Sequence, residues 1–224
     1  MSGRWSAAVV TMLVGFTLAG CGDRVEVGDC KTAADGWQHC TAGKRAKAPK
    51  LTGELLDGGD AASIKTEHLV VVVNFWGSWC APCRAEAADL ERTYQATRAS
   101  AFVAFVGINV RDDRDRAKAF EAGRVTYPSI YDPGSRTVLD FNIPPNATPS
   151  TVIIDRDGRI AAIKQGAVRQ ADLEPVIRAI ATENPSGLVA TATRVGEIRS
   201  TPTTVVLPDG RSVTVGAPTP GGTP

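Results

Sequence analysis

Histidine is nearly missing from this 224-residue chain: His39 and His68 are the only two. They do not stand three to five residues apart, so a Cys-Cys/His-His zinc site lacks its second ligand pair. Methionine is equally scarce, with two residues, and no histidine adjoins the closest pair of cysteines, which disfavours a copper-carrying module. Neither sign of charge is in excess. Twenty-five Lys and Arg face 24 Asp and Glu, a net charge of +1, so the basic footprint of a nucleic-acid partner is lacking. The nearest basic run, Lys44-Arg45-Ala46-Lys47-Ala48-Pro49-Lys50, is interleaved with Ala and Pro. It reads as a solvated linker, the alternative being a weak attraction to anionic headgroups. A spanning helix is lacking too: the apolar run from Trp5 to Ala19 covers roughly 15 residues, short of the ~18 a bilayer crossing needs.

What the chain does have is a core. Apolar residues make up 43% of it, and the length suits one domain of ~150 residues plus appendages. Its organising stretch is Val70-Val71-Val72-Val73-Asn74-Phe75-Trp76-Gly77-Ser78-Trp79-Cys80-Ala81-Pro82-Cys83-Arg84. The β-branched run is too apolar for a surface strand. After a Gly-Ser break come two cysteines with two residues between them, leading into a helical pattern. A buried strand that delivers Cys-x-x-Cys to a helix N-terminus is a redox arrangement. The first thiol faces unpaired N–H groups and the positive end of the helix, which favours its thiolate. The second lies one turn on, within reach of a disulfide over a very short loop. Cys80, at the exposed first position, is the expected nucleophile and Cys83 the residue that resolves the mixed disulfide. Pro82 lacks an N–H, which costs nothing in a first turn and stiffens the loop. Trp79 either covers the disulfide or fills the core. No cofactor is expected beyond the disulfide itself.

The N-terminus bears on compartment. Arg4 precedes the apolar run, which ends in Leu18-Ala19-Gly20-Cys21. That tetrapeptide resembles the bacterial lipobox, whose cysteine is acylated and becomes the mature N-terminus. The expectation is a signal peptide over 1–20 and a lipid anchor at Cys21, on the extracytoplasmic face of the cell membrane, where disulfides persist; an ordinary signal peptide or a short anchor helix is the alternative. Of the five cysteines, Cys30 and Cys40 then remain. They read as a structural disulfide closing a short loop, worth ~2–3 kcal/mol by chain entropy, or alternatively as a second redox pair.

The polar, aperiodic stretch 21–47 reads as a tether carrying that loop. Leu51 to Ile64 reads as an N-terminal hairpin about Asp57-Gly58-Gly59-Asp60. Strands are expected over 69–76, 102–110, 128–131, 151–154 and 160–164. Helices are expected from Cys80 to about Arg98 and over 112–122 and 170–182, with one or two turns over 136–141. Strands alternating with helices, closed by a hairpin and a helix, give an α/β sheet with helices on both faces over 48–183. In the extension 184–224, Thr201-Pro202 through Asp209-Gly210-Arg211 echoes Thr148-Pro149 through Asp157-Gly158-Arg159. It is either a partial repeat adding edge strands or a coincidence of hairpin wording. The tail 217–224 reads as disordered.

Trp79-Cys80-Ala81-Pro82-Cys83, with Thr148-Pro149 ahead of a strand, resembles the thioredoxin fold: a central mixed sheet flanked by helices, here with an N-terminal hairpin and a C-terminal β extension. Asn74-Phe75-Trp76, Glu86, the strand–hairpin–helix tail and the lipobox narrow the resemblance to the TlpA/ResA-like family of membrane-anchored extracytoplasmic thiol–disulfide oxidoreductases, over about residues 48–181. The resemblance implies that Pro149 is a cis-proline facing the cysteines and that Thr148 offers its backbone to a substrate segment. It also implies that Glu86 is the acidic residue behind the thiols; a surface glutamate is the alternative reading. Asn74 stands where cytosolic thioredoxins carry a buried acid, and an amide takes no proton. Pro144-Pro145-Asn146-Ala147 departs from the compact Gly-containing turn usual in the family. The implied activity is reduction of the Cys-x-x-Cys-His pair of apocytochrome c, with electrons from a membrane thiol transporter of the CcdA type. An oxidase that installs disulfides in exported proteins is the rival direction.

Overall fold

The structure, a computed structural model, describes residues 28–61, 64–99 and 102–183, and the strands Thr203–Val206 and Ser212–Val215. The expected signal peptide over 1–20, Cys21 and the tail 217–224 lie outside these residues.

Seven strands form one mixed sheet, in the order β1 (Gly28–Thr32), β2 (Gln38–Arg45), β7 (Ile160–Gln165), β6 (Ser150–Ile154), β3 (Val70–Trp76), β4 (Val103–Val110) and β5 (Ser129–Asp132). At its centre is β3 (Val70–Trp76), every residue of which is buried. It runs parallel to β4 (Val103–Val110) and antiparallel to β6 (Ser150–Ile154). Because side chains alternate along a strand, β3 feeds two apolar layers. Val71, Val73 and Phe75 join Val106, Ile108, Phe141 and Ile163 in one. Val70 and Val72 join Leu90, Phe105, Leu173 and Ile177 in the other. The second layer is where α1 (Ala81–Arg98) and α4 (Gln170–Thr182) pack. A strand covered on both faces has no room for polar alternation, which is why its sequence is a continuous apolar run.

The remaining elements follow the expected order within a residue or two: α2 (Arg114–Glu121), β5 (Ser129–Asp132), α3 (Arg136–Asp140) and β7 (Ile160–Gln165). Asp113 caps α2, its carboxylate accepting from the N–H groups of Asp115 and Arg116.

Two expectations need correction. The stretch read as a tether is part of the domain: β1 (Gly28–Thr32) and β2 (Gln38–Arg45) form a hairpin, and β2 pairs with β7. Its strands lack an apolar period because most of their residues are exposed. The hairpin is held instead by fully buried Trp37, by the Cys30–Cys40 disulfide, and by Arg45. The Arg45 guanidinium is buried and reaches Asp155 at 3.0 Å, both oxygens of Glu183, and the Cys40 carbonyl. Conversely, the described residues of 51–64 form no hairpin of strands. The segment makes a turn, with Leu55 N–H donating to Gly59 O, and isolated bridges from Glu54 to Asp60 and from Leu55 to Ile130. Its apolar residues are spent downward: Leu56 is fully buried beside Trp76 and the cysteines.

The C-terminal unit begins after residue 186. In it β8 (Thr203–Val206) and β9 (Ser212–Val215) pair antiparallel in a two-stranded sheet of their own, rather than lengthening the larger sheet. Thr201, Pro202 and residues 207–211, the rest of the echo, lie outside the described residues.

Candidate active site

The site is built where β3 stops. The loop leaving Trp76 is fastened to the end of β4 by Asp112, which accepts the Ser78 N–H and, at 2.8 Å, the Ser78 hydroxyl, and also takes the Asn109 amide at 2.9 Å. A Cβ at Gly77 would fall 2.4 Å from the Trp79 indole nitrogen, so any other residue there would push the ring from its place. Trp79 folds back over the loop, its Nε1–H donating to Val110 O at 3.2 Å, and its ring is 47% exposed. It is a surface side chain, and the core-filler reading falls away.

Cys80 is the N-cap of α1, with extended backbone, and Pro82 sits in the first turn. Cys80 and Cys83 are joined in a disulfide. The Cys83 N–H donates to Cys80 Sγ at 3.2 Å, so one of the orphan donors of the helix start is aimed at the first sulfur. The expectation that Cys80 is exposed is corrected: each cysteine is 3% accessible. Leu56, Trp76 and Ala117 pack with the sulfur pair, so position at the helix start, not exposure, sets Cys80 apart.

From the other side comes the turn before β6. The Thr148–Pro149 bond is cis, and Thr148 O lies 3.8 Å from Cys80 Sγ. The preceding Pro144–Ala147 segment closes on itself, Ala147 N–H donating to Pro144 O at 2.8 Å. Its own backbone bond does the work of the missing glycine.

One turn beyond Cys83 on α1, Glu86 is 2% exposed, which removes the surface reading. Asn74 Nδ2 donates to its Oε1 at 3.0 Å and Val168 N–H to its Oε2 at 2.8 Å. Burial pushes its carboxyl up to about 7, against the pull of those two donors, and the nearby charge of Asp89 adds to the rise. Asn74 also donates to Thr151 Oγ1 at 3.2 Å. The amide therefore orients the acid, a role that leaves the titration to Glu86.

Three further groups escaped the sequence reading. Trp76, packed with the cysteines, donates from Nε1 to Ser129 Oγ at 3.2 Å, and Ser129 donates to Glu121 Oε1. Glu121 is pushed up to about 7 by burial, with the Asp57 charge adding to it and the Ser129 hydroxyl opposing. Arg111 lies over the Trp79 ring, 4.8 Å from its centre, and donates to Thr148 Oγ1 at 3.3 Å. Asp112 is the third. The one signal in the sequence was the Arg-Asp-Asp run closing a buried strand, and its meaning depends on which loop lands there.

The structure thus gathers Trp79, Cys80, Cys83, Thr148 and Pro149 at one end of β3, with Glu86 a turn behind. Cys30 and Cys40 are joined apart from them, on the β1–β2 edge of the sheet. Cys21 is outside the described residues.

The model of the Redoxin family matches residues 41–179. The chain belongs to the Redoxin family. Its relatives include the thiol:disulfide interchange protein DsbE homolog of Paracoccus denitrificans, 36% identical over 105 residues, covering 46% of this chain and 54% of that one. The thiol-disulfide oxidoreductase ResA of Geobacillus kaustophilus is 28% identical over 111 residues, covering 49% and 62%. This Redoxin therefore spans little more than half the length of those curated relatives. Among solved structures, a DsbF homologue from Corynebacterium diphtheriae superposes with a TM-score of 0.59 at 35% identity, over 66% of this chain and 93% of that one. The solved structure agrees with the thioredoxin-like mixed sheet flanked by helices, and the curated relatives with the TlpA/ResA-like group.

Proposed function

We propose that this protein is an extracytoplasmic thiol–disulfide oxidoreductase that acts as a reductant of exported proteins, with apocytochrome c as the client class. One observation carries the reading: the Cys80–Cys83 disulfide stands at the start of α1 with the Cys83 N–H on Cys80 Sγ, and a buried carboxyl lies one turn behind. In the reduced form, the Cys80 thiolate attacks a client disulfide and forms a mixed disulfide, releasing one client thiol. Cys83 then loses its proton, attacks Cys80 Sγ and releases the second thiol. Two electrons and two protons pass to the client. Glu86, titrating near neutrality, is the group that exchanges the proton with Cys83. Thr148 presents backbone beside Pro149, and Trp79 a flat apolar face, to the client segment.

Electrons come from a membrane thiol transporter of the CcdA type, and Cys21 carries the lipid anchor. Among the described residues no helix is long and apolar enough to cross a membrane.

The same hydrogen bond supports a second direction. An N–H on Cys80 Sγ stabilises a thiolate, hence the dithiol form, and so raises the potential towards that of a disulfide-forming oxidant. The equilibrium potential against glutathione decides between them. A value below about −160 mV, with reduction of a peptide carrying an oxidised Cys-x-x-Cys-His, supports the reductant; a higher value makes the protein an oxidase. Intact cytochrome c in a deletion strain would overturn the client assignment.

A further inference from the structure

The rim of the disulfide carries two guanidinium groups with no acidic counterpart. Arg45, Arg92, Arg114, Arg169 and Arg178 each meet a carboxylate. Among the described residues several others meet none, and of these Arg84 and Arg111 are the two whose side chains bond to the loops flanking the cysteines. Arg84 spends one N–H on Ser78 O at 3.4 Å; Arg111 spends one on Thr148 Oγ1 and rests on the Trp79 ring. A guanidinium has five donors in a planar fork, so most of Arg111's remain available at the surface. Its backbone is held at φ +50°, the left-handed region that a side chain other than glycine occupies at a cost. Arg111 also bridges the two walls between which a client must enter, the Trp79 loop and the Thr148–Pro149 turn. The acids nearby are engaged: Asp112 by Ser78 and Asn109, Asp113 by the cap of α2, and Glu54 by Arg114.

We infer that Arg111, assisted by Arg84, selects clients that carry a carboxylate side chain next to the reacting cysteine. The inference rests on the thiol-exchange reading above and names its substrate preference. A planar fork lying on an indole, beside the backbone that pairs with the client, takes such a carboxylate through two parallel N–H donors. Arg111 fixes orientation and preference; the sulfur chemistry stays with the cysteines.

The test uses the reduced full chain and three cysteine peptides that differ only in the neighbouring residue, Asp, Asn or Lys. Each peptide is presented as its mixed disulfide with thionitrobenzoate. The Cys80–Cys83 dithiol is oxidised to the disulfide, while the mixed disulfide is reduced to peptide thiol and coloured thionitrobenzoate. That leaving group drives the reaction whatever the protein's potential. The readout is the ratio of Asp-peptide to Lys-peptide rate within each variant. Wild type is expected to prefer Asp about fivefold to tenfold, the size of a pair of partly exposed charge contacts, and to lose most of that preference in high salt. Arg111→Ala should bring the ratio to about two, Arg111→Lys should keep part of it, and Arg111→Glu should invert it, which loss of packing alone cannot do. A wild-type ratio near one, or a ratio unmoved by Arg111→Glu, overturns the assignment. If no peptide reacts with wild type, the oxidoreductase reading itself fails.

Discussion

The two disulfides of this protein are made of the same bond and placed in opposite settings. Cys30–Cys40 links paired positions of two neighbouring strands and closes a separation of 10 residues. Cys80–Cys83 closes a separation of 3 at a helix cap, with a backbone N–H on one sulfur and an acid of raised pKa a turn away. The first constrains a hairpin that has little apolar surface to hold it. The second has a backbone donor on one sulfur and a protonatable acid a turn away, which is what the proposed exchange requires. What separates a staple from a switch is the company each sulfur keeps.

The largest way to break that contrast is at the switch. Cys80→Ser should lower the rate of disulfide exchange by on the order of a thousandfold or more, and Cys83→Ser should accumulate the client mixed disulfide on Cys80, seen on a non-reducing gel. The paired Cys30→Ala/Cys40→Ala change should leave exchange within a factor of about two. A large loss there would make the edge pair a second redox centre.

Next in size is the pH dependence of stability. Glu86 keeps its proton in the folded chain up to about pH 7, whereas unfolded it lets go near 4.5. Between those values the folded state binds the extra proton, so stability falls as pH rises, by about 3 kcal/mol across the window. Glu121 contributes a slope of the same sign. Urea titrations from pH 4 to 8 should show Glu86→Gln removing roughly half of the decline; an unchanged slope would place the proton elsewhere.

Opening the edge disulfide by the same Cys30→Ala/Cys40→Ala change should cost about 2–3 kcal/mol in urea unfolding. The smallest effect is expected at the loop clasp: Ser78→Ala removes one hydroxyl bond to Asp112 and should cost about 1 kcal/mol, with a modest rise in the mobility of Trp79 measured by fluorescence anisotropy.

The sheet centre was legible because burial on both faces leaves a plain mark: Val70–Trp76 can hardly be anything but a covered strand. Cys80 and Cys83 were legible because their chemistry and their spacing coincide. The β1–β2 hairpin was not, since an edge stabilised by Trp37, one disulfide and the Arg45 ion pairs has no periodic pattern to betray it. Those partners, Asp155 and Glu183, lie more than a hundred positions away. The opposite error at 51–64 came from a real turn signal whose flanks meet in a single bridge, Glu54 to Asp60, while Leu55 turns to the neighbouring strand at Ile130. The raised pKa of Glu86 was inferable only once its burial was known, and the Trp76–Ser129–Glu121 chain and the Arg111 bridge are products of tertiary placement alone.

The early start of β1 bears on how far this protein can range. If acylated Cys21 is where it is moored, Gly28 already belongs to the folded body, leaving seven residue steps. At full stretch that leash is no longer than about 25 Å, whereas one running to residue 48 would extend about 95 Å. A body on so short a leash patrols only the layer next to the bilayer. The clients and electron source proposed above would then both have to come to that layer, and lengthening the leash should loosen the handover between them.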